Sequence, residues 1–329
     1  MTLTQLLLTR TNFSFFYLNI FFIVIFCIVI FFISTIGYKQ HGPSLDLRFS
    51  YWQLDGTLVD KKSKYTKEEI DAFNQYWNEV ERPRGSILVY NTARCIAMYA
   101  DLVERTDNLM APDILITGEG AEIRYLVKDK AMIGTYGHAG CRFVDDAEWK
   151  QRIHTHWWDS GLRKKVIDVL NLHDLKIIPN LNDITNAPPF GEARHAITVN
   201  VGQAKELVPK IIAEIENTNE IDVFQIKGWV ENSELITVRP SVAGKDGAAN
   251  YIANKLMFEE CDVLAAGDTN GDASMLGTNF AFVCVGNATA PLKKAFGQRK
   301  HSVKGDFLSE FEGAGAVLDG LINFEARAR

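Results

Sequence analysis

Cysteine is sparse in this 329-residue sequence, and its five cysteines lie far apart. They are Cys27, Cys95, Cys141, Cys261 and Cys284, and no two of them form a CxxC pair. A disulfide framework or a zinc cluster needs cysteines at close, regular spacing, so the sequence argues against both. We expect free thiols in a reducing compartment.

Long runs of basic charge are also missing. Thirty-five Lys and Arg residues stand against 41 Asp and Glu residues, which gives a formal net charge of −6. Proteins that bind nucleic acid normally display a basic patch, so we expect no nucleic-acid partner. The signatures HExxH, GxSxG and GxGxxG are absent as well, which argues against the zinc-protease, serine-hydrolase and dinucleotide-binding sites that they mark.

One hydrophobic run is long enough to cross a membrane. Residues 15–37 read FFYLNIFFIVIFCIVIFFISTIG, and about 20 apolar residues without a charge span a hydrocarbon layer of ~30 Å. We predict a transmembrane helix over 15–37, after a tail over 1–14 and before a tether over 38–46. A cleaved signal peptide is the alternative, although its apolar region is shorter, ~7–15 residues, and no small-x-small cleavage site follows this run.

The charges around this run predict its orientation. Arg10 precedes the run, whereas Lys39, Arg48, Lys61 and further lysines follow it. Basic residues favour the cytoplasmic side of a membrane. We therefore predict a single-pass membrane protein whose globular part lies on the cytosolic or stromal side.

The remaining chain alternates between short apolar segments and helical periodicity. Segments 47–54, 86–90 and 113–117 are typical of buried strands, and helices are predicted over 67–81 and 95–104. Parallel strands need such helical crossovers. The pattern predicts an α/β fold with a doubly wound, parallel, Rossmann-like sheet.

The alternation stops near residue 125 and resumes near residue 239. The intervening sequence predicts an inserted α+β cap domain over 125–238, which divides the core into 47–124 and 239–329. The predicted cap elements are a Trp-rich helix over 146–170, a helix over 204–216, and strands over 195–201, 221–226 and 235–238. In the second part of the core we predict helices over 246–258, 273–276 and 315–324, and strands over 263–266 and 280–285.

Polar residues follow several of the predicted core strands. Gln53 and Asp55 leave the first strand at i and i+2, so both side chains point to one face, at the sheet edge where open α/β folds bind ligands. Thr92 follows the second strand and opens a helix. Its hydroxyl could be an ordinary N-cap or could bind a phosphate oxygen at the positive end of that helix.

Lys245, Asp268 and Asp272 also allow a structural and a functional interpretation, and for Lys245 the structural one is a solvated surface lysine. Lys245 starts a helix, where a lysine opposes the helix dipole unless an anion is bound nearby. Asp268 and Asp272 follow the strand at 263–266, where they could be a turn residue and an N-cap. They could equally supply the hard carboxylate oxygens that Mg²⁺ prefers.

Four segments in order resemble the motifs of the haloacid dehalogenase superfamily. They are YWQLDGT, VYNTAR, the Lys245 segment and AGDTNGDASML, and the runs RPRGSILVYNTAR, PDILITGEGAEI and RPSVAGKDGAANYI look like those of sucrose-phosphate phosphatases. The resemblance covers about 46–325. It implies the haloacid dehalogenase fold and Mg²⁺-dependent hydrolysis of sucrose 6-phosphate. It also assigns roles: Asp55 is the acid/base, Thr92 and Lys245 bind phosphate, Asp268 binds Mg²⁺ and Asp272 supports the metal site.

The sequence departs from this family at the nucleophile. The first Asp of the DxDGT motif is Gln53 here, and Ala93 stands where Gly is usual. An amide is a poor nucleophile, and the change removes one negative charge from the cation site. Two hypotheses follow. One is a membrane-anchored sugar phosphatase with weakened chemistry, in which Mg²⁺-bound water attacks directly. The other is a non-catalytic protein that binds a sugar phosphate or a partner such as the sugar-phosphate synthase.

Overall fold

The computed structural model describes residues 48–59, 67–128, 138, 141–173, 195–200, 203–215, 221–227, 233–299 and 303–328. The strands in this part of the chain are β1 Phe49–Trp52, β2 Ile87–Asn91, β3 Ile114–Thr117, β4 Glu122–Lys128, β5 Cys141–Asp145, β6 His195–Asn200, β7 Ile221–Lys227, β8 Ser233–Pro240, β9 Val263–Gly267, β10 Ala281–Cys284 and β11 Phe307–Leu308. The α-helices of eight or more residues are α1 Lys67–Tyr76, α2 Ile96–Arg105, α3 Ala147–His154, α4 Leu162–Leu172, α5 Gln203–Glu214, α6 Lys245–Lys255, α7 Ala290–Gln298 and α8 Gly313–Ala328.

The main sheet has eight strands in the order β11-β10-β9-β1-β2-β3-β4-β5. All pairings from β11 across to β3 are parallel, which confirms the predicted parallel α/β sheet. Strand β1 lies between β2 and β9, with Trp52 opposite Tyr90 and Ala266. The carboxyl ends of these three strands therefore lie side by side at one edge of the sheet.

Helices cover both faces of this sheet, because successive residues of a strand point to opposite sides. Tyr51 belongs to the apolar cluster that includes α6, and its hydroxyl donates to the Ala249 carbonyl at 2.7 Å. Trp52 belongs to the opposite cluster, which contains residues of α1, α2 and α8. All four β1 residues are buried. Burial on two faces is what its continuous apolar and aromatic sequence predicts.

The alternation of parallel strands and helices was predicted to stop near residue 125. In the structure, two antiparallel strands follow β3 and extend the main sheet. β4 pairs with β3, and β5 pairs with β4, in both cases antiparallel. A separate three-stranded antiparallel sheet follows, in the order β6-β8-β7. The domain limits at 125 and 238 stay a prediction.

Some predicted elements need correction. The single helix expected over 146–170 is two helices, because Gly161 adopts a left-handed backbone (φ +76°) between α3 and α4. The helix expected over 273–276 is a 3₁₀ segment, Asn270–Gly277. Strands β4, β5 and β11 and helix α7 were not predicted. Strand β11 has two residues, too few to give a periodic pattern.

No helix in the described part of the chain is long and apolar enough to cross a membrane. The predicted span over 15–37, its tail and its tether lie outside the described residues, so the span stays a prediction.

Asp146 connects the start of α3 to α6. Its carboxylate caps α3 by accepting the Trp149 backbone N–H at 2.9 Å, and it accepts from Tyr125, Tyr251 and Lys255 at 2.8–3.0 Å. Burial alone would raise the pKa of Asp146. The hydrogen bonds from the Trp149 N–H, Lys255 and Tyr125 outweigh burial, so this pKa lies below its usual value. The ionised carboxylate therefore stabilises the junction between these two helices.

Asp146→Asn is expected to lower the free energy of unfolding by about 1–2 kcal/mol at pH 7, because Asn still caps the helix but loses the partly exposed ion pair with Lys255. A lowered native pKa stabilises above the unfolded value of about 3.9, and that stabilisation is lost as the pH falls through the native value. The difference between wild type and variant in urea unfolding should therefore shrink below pH ~4. A difference that does not change with pH would contradict the ionic origin.

Candidate active site

Gln53, Lys245 and Asp272 form a buried chain of hydrogen bonds at the carboxyl edge of the sheet. Lys245 Nζ donates to Gln53 Oε1 at 2.8 Å and to Asp272 Oδ1 at 2.7 Å. The three residues are only 6%, 3% and 1% exposed, respectively. An ammonium group has no acceptor, so the amide oxygen of Gln53 must face Lys245 and its NH₂ group must point away. The structure thus brings Gln53, at the predicted nucleophile position, together with Lys245, the predicted phosphate ligand.

Asp272 holds the loop after β9 in place. Its Oδ2 accepts the backbone N–H groups of Asp268 at 3.1 Å and Thr269 at 3.0 Å, and the Thr269 hydroxyl at 3.1 Å. Together with Thr269 it forms a capping box at the start of the 3₁₀ segment. Both carboxylate oxygens are bonded to protein donors. This geometry suits a residue that supports the site and orients Lys245.

Asp268 lies against the turn that follows β1. Its Oδ1 accepts from the Thr57 hydroxyl at 3.1 Å, and its Oδ2 packs on the backbone of Gly56, where a Cβ would overlap it. Gly56 has a left-handed backbone (φ +82°). The turn is closed by hydrogen bonds from the N–H groups of Thr57, Leu58 and Val59 to the Leu54 carbonyl. The glycine of the DGT segment therefore allows the Asp268 carboxylate to approach β1.

Gly56→Ala is expected to lower the free energy of unfolding by about 2–4 kcal/mol, because alanine is strained at positive φ and its Cβ must displace Asp268. Gly277→Ala is the matched control. No atom lies within 4 Å of where its Cβ would be, so we expect a change within about 1 kcal/mol. Urea unfolding of both variants measures the two effects. Equal losses would show that Asp268 does not depend on the Gly56 backbone.

Asp55 leaves the same turn and is bound by Arg94. Arg94 donates to the two carboxylate oxygens of Asp55, from Nε at 2.8 Å and from Nη2 at 2.5 Å. A bidentate guanidinium fixes the plane of the carboxylate as well as its charge. Arg94 lies within the VYNTAR segment but was not among the predicted site residues. The sequence did carry a signal for this contact. Arg94 is a cationic residue two positions after Thr92, and the strand before it neighbours the strand that leads to Asp55.

Thr92 is completely buried at the end of β2. Its hydroxyl oxygen accepts the Arg94 backbone N–H at 3.1 Å, and its own N–H donates to the Ile116 carbonyl at 2.9 Å. The turn after β3 supports this loop, because the N–H groups of Gly118 and Glu119 donate to the carbonyls of Arg94 and Thr92. These hydrogen bonds fix the loop that carries Thr92 to the end of β3 and the turn after it.

Two asparagines that were not predicted as site residues also position the site. Asn91 Nδ2 donates to the Lys245 carbonyl at 3.0 Å, which ties the end of β2 to the start of α6. Asn287 Nδ2 donates to the Gly56 carbonyl at 2.6 Å, which ties the turn after β1 to the segment after β10. Their partners are distant in sequence, so no local pattern indicates these contacts.

The charges at this edge give a small negative balance. Asp55, Asp268 and Asp272 carry three negative charges, and Arg94 and Lys245 carry two positive ones, which leaves a net charge of −1.

The resemblance implies Mg²⁺, and the donor set fits an ion held through one carboxylate, that of Asp268. Mg²⁺ commonly uses one or two carboxylates and fills its other positions with water and substrate oxygens.

The main sheet, with Gln53, Asp55, Lys245 and the two aspartates at one carboxyl edge, has the haloacid dehalogenase fold. The chain belongs to the sucrose-6F-phosphate phosphohydrolase family, whose family model matches residues 51–325. The probable sucrose-phosphatase 3a of Arabidopsis thaliana is 27% identical over 270 residues, which are 80% of this chain and 56% of that protein. The probable sucrose-phosphatase 1 of the same plant is 23% identical over 276 residues, 83% of this chain and 58% of that protein. The chain thus spans somewhat more than half the length of these curated relatives.

Solved structures show the same fold. The sucrose-phosphatase of Synechocystis, determined with sucrose and phosphate, superposes with a TM-score of 0.64 at 19% identity and covers 86% of this chain and 99% of its own. The haloacid dehalogenase-like hydrolase yhjK of Bacillus subtilis superposes with a TM-score of 0.57 at 17% identity and covers 83% of this chain and 90% of its own.

Proposed function

We propose that this site binds a sugar phosphate, with sucrose 6-phosphate as the substrate, and hydrolyses it slowly. The observation that carries the proposal is the position of Lys245, 2.8 Å from Gln53 Oε1 and 2.7 Å from Asp272 Oδ1. A buried ammonium group beside the nucleophile position is a suitable partner for a phosphate oxygen. The family, and relatives that are sucrose-phosphatases by name, support a sugar phosphate as the ligand.

Each site residue has a proposed role. Thr92 and Lys245 bind oxygens of the phosphate. A water oxygen attacks phosphorus while the bond from phosphorus to the sugar oxygen breaks. Asp55, oriented by Arg94, takes a proton from the water and delivers a proton to the leaving sugar oxygen. Mg²⁺ held by Asp268, with Asp272 as support, would supply positive charge to the phosphate oxygens.

Gln53 is the reason for a slow reaction. Its amide oxygen is neutral and a poor nucleophile, so it does not form the phosphoryl intermediate that an aspartate forms. Loss of a covalent nucleophile costs on the order of 10⁴ to 10⁶ in rate, while a positioned site keeps some activity over water.

Calorimetry and a phosphate-release assay test this function. The full-length chain in detergent should bind sucrose 6-phosphate, and with Mg²⁺ it should release phosphate slowly. Asp268→Asn should abolish the release, because it removes the carboxylate proposed to hold the ion. Failure to bind sucrose 6-phosphate or other sugar phosphates under any condition would refute the proposal.

The contact between Gln53 and Lys245 also favours a second candidate function. A site that presents an amide where the nucleophile should be could bind a sugar phosphate without turnover and act as a regulatory partner of the synthase that makes it. Binding without detectable phosphate release, together with co-purification of that synthase, would support this function. Release that Asp268→Asn abolishes would exclude it.

We also propose that residues 15–37 anchor the protein as a single-pass membrane protein, with the globular part on the cytosolic or stromal side. A reporter fused to residues 1–45 is expected to stay in the membrane fraction after carbonate extraction, because ~20 apolar residues bury far more surface than a peripheral contact. The same reporter fused to residues 38–45 alone should be released. Release of the longer fusion, with a new N-terminus near residue 38, would indicate a cleaved targeting segment.

A further inference from the structure

The substitution at position 53 changes the site from one that presents a carboxylate to one that presents hydrogen-bond donors. Gln53 Oε1 faces Lys245, so the Nε2 group points to the other side, and it makes no hydrogen bond to another described residue. Gln53 is only 6% exposed. An NH₂ group is a hydrogen-bond donor, so an acceptor bound on this side of the amide would receive a hydrogen bond from it.

Two further donors, on Lys245 and Thr92, lie at the same carboxyl edge of the sheet as this amide. Lys245 Nζ uses two of its three N–H groups, on Gln53 and on Asp272. The Thr92 hydroxyl accepts from the Arg94 N–H through its oxygen, and its own proton is left to donate. Trp52 lies opposite Tyr90 in the parallel pairing of β1 and β2, so Gln53 and Thr92 leave neighbouring strand ends, which are ~5 Å apart.

The charge of the side chain at position 53 decides whether an anion can bind at this site without a metal ion. An aspartate there would repel a phosphate dianion, and a divalent cation would be needed to hold the two together. The amide of Gln53 removes this repulsion and adds a donor. Resting on the proposed function, we infer that this chain binds the phosphate group of its ligand without a metal ion, through Gln53, Lys245 and Thr92.

Calorimetric titration of the full-length chain with sucrose 6-phosphate and with inorganic phosphate tests the inference. The dissociation constant should agree within about 3-fold between excess EDTA and millimolar Mg²⁺, because the three donors suffice to hold the bound phosphate and the ion proposed at Asp268 would act on the charge that develops during hydrolysis. Binding that appears only with Mg²⁺ would overturn the inference and leave the proposed function standing. Absence of binding under both conditions would overturn the proposed function itself.

A charge variant of the same length gives an independent measurement. Gln53→Glu should weaken binding in EDTA at least about 10-fold, and Mg²⁺ should restore much of the loss. Gln75→Glu, on the exposed surface of α1, adds the same charge away from the site and should leave both constants unchanged. Equal behaviour of the two variants would contradict a direct contact between Gln53 and the anion. The wild-type comparison stands even where Gln53→Glu fails to fold.

Discussion

Gln53→Asp is expected to raise the rate of sugar phosphate hydrolysis at least about 10³-fold, a conservative share of what losing a nucleophile costs. The substitution places a carboxylate beside Lys245, in the chain of contacts that already links Lys245 to Asp272. It also returns one negative charge, so the net charge at the site becomes −2 instead of the present −1. Affinity for Mg²⁺ should rise together with the rate, because both effects act at one position.

The measurement is phosphate release from sucrose 6-phosphate by wild type and variant at saturating Mg²⁺, alongside calorimetric titration with Mg²⁺. Gln53→Glu is the matched control, since it restores the charge with a side chain one methylene longer. It should raise Mg²⁺ affinity with a much smaller gain in rate, because in-line attack needs the shorter reach of Asp. Adding Asp55→Asn to Gln53→Asp should remove most of the gain, because it removes the proposed acid/base.

Suppose that a folded Gln53→Asp variant hydrolyses neither sucrose 6-phosphate nor other hexose and disaccharide phosphates. The site would then have lost more than one residue that catalysis needs. The regulatory function would then account better for the whole chain. Aspartate is shorter than glutamine, so overpacking is not expected to be the cause of such a failure.

Asp272→Ala is expected to lower the free energy of unfolding by about 3–5 kcal/mol, because breaking a buried ion pair leaves the other charge without its partner. Asp272 is 1% exposed and accepts from Lys245, from the Asp268 and Thr269 N–H groups and from the Thr269 hydroxyl. Its removal frees the loop after β9 and leaves Lys245 bonded to the Gln53 amide. Chemical denaturation of the full-length chain, compared with wild type, measures the loss.

Two further variants separate the ion pair from the loop contacts. Asp272→Asn keeps an amide oxygen that can cap the 3₁₀ segment, so it should lose less than the alanine variant. Combining it with Lys245→Met should cost less than the sum of the two single losses, by about 0.5–3 kcal/mol, because both remove the same contact. Additive losses would show that the Lys245–Asp272 pair contributes no stability of its own.

The parallel core was predictable because its signals are local. The apolar run at 47–54 gave β1, and its continuous burial matched its continuous apolar pattern. Gly161 separates two helices within 146–170. The helical periodicity continues across it, so the sequence pattern predicted a single helix there. Strands β4 and β5 were not predicted because they bury little: β4 has one buried residue, Ile123, and β5 has none, so neither carries a clear apolar face.

The sequence by itself determined the fold class and the sheet edge at which a ligand would bind. A strand or a helix depends on neighbouring residues, and parallel strands joined by helical crossovers must end at the same edge. It also determined the most consequential feature of the site, an amide at position 53.

Only the tertiary structure decided which side chains meet. Lys245 lies 192 residues from Gln53 and yet donates to its amide oxygen, and Arg94 lies 39 residues from Asp55 and binds its carboxylate. These pairs depend on strand register and on how the helices cross the sheet, which are properties of the packed chain rather than of any short segment. The same packing turned the Gln53 amide so that its NH₂ group faces away from Lys245, because an ammonium group can only donate.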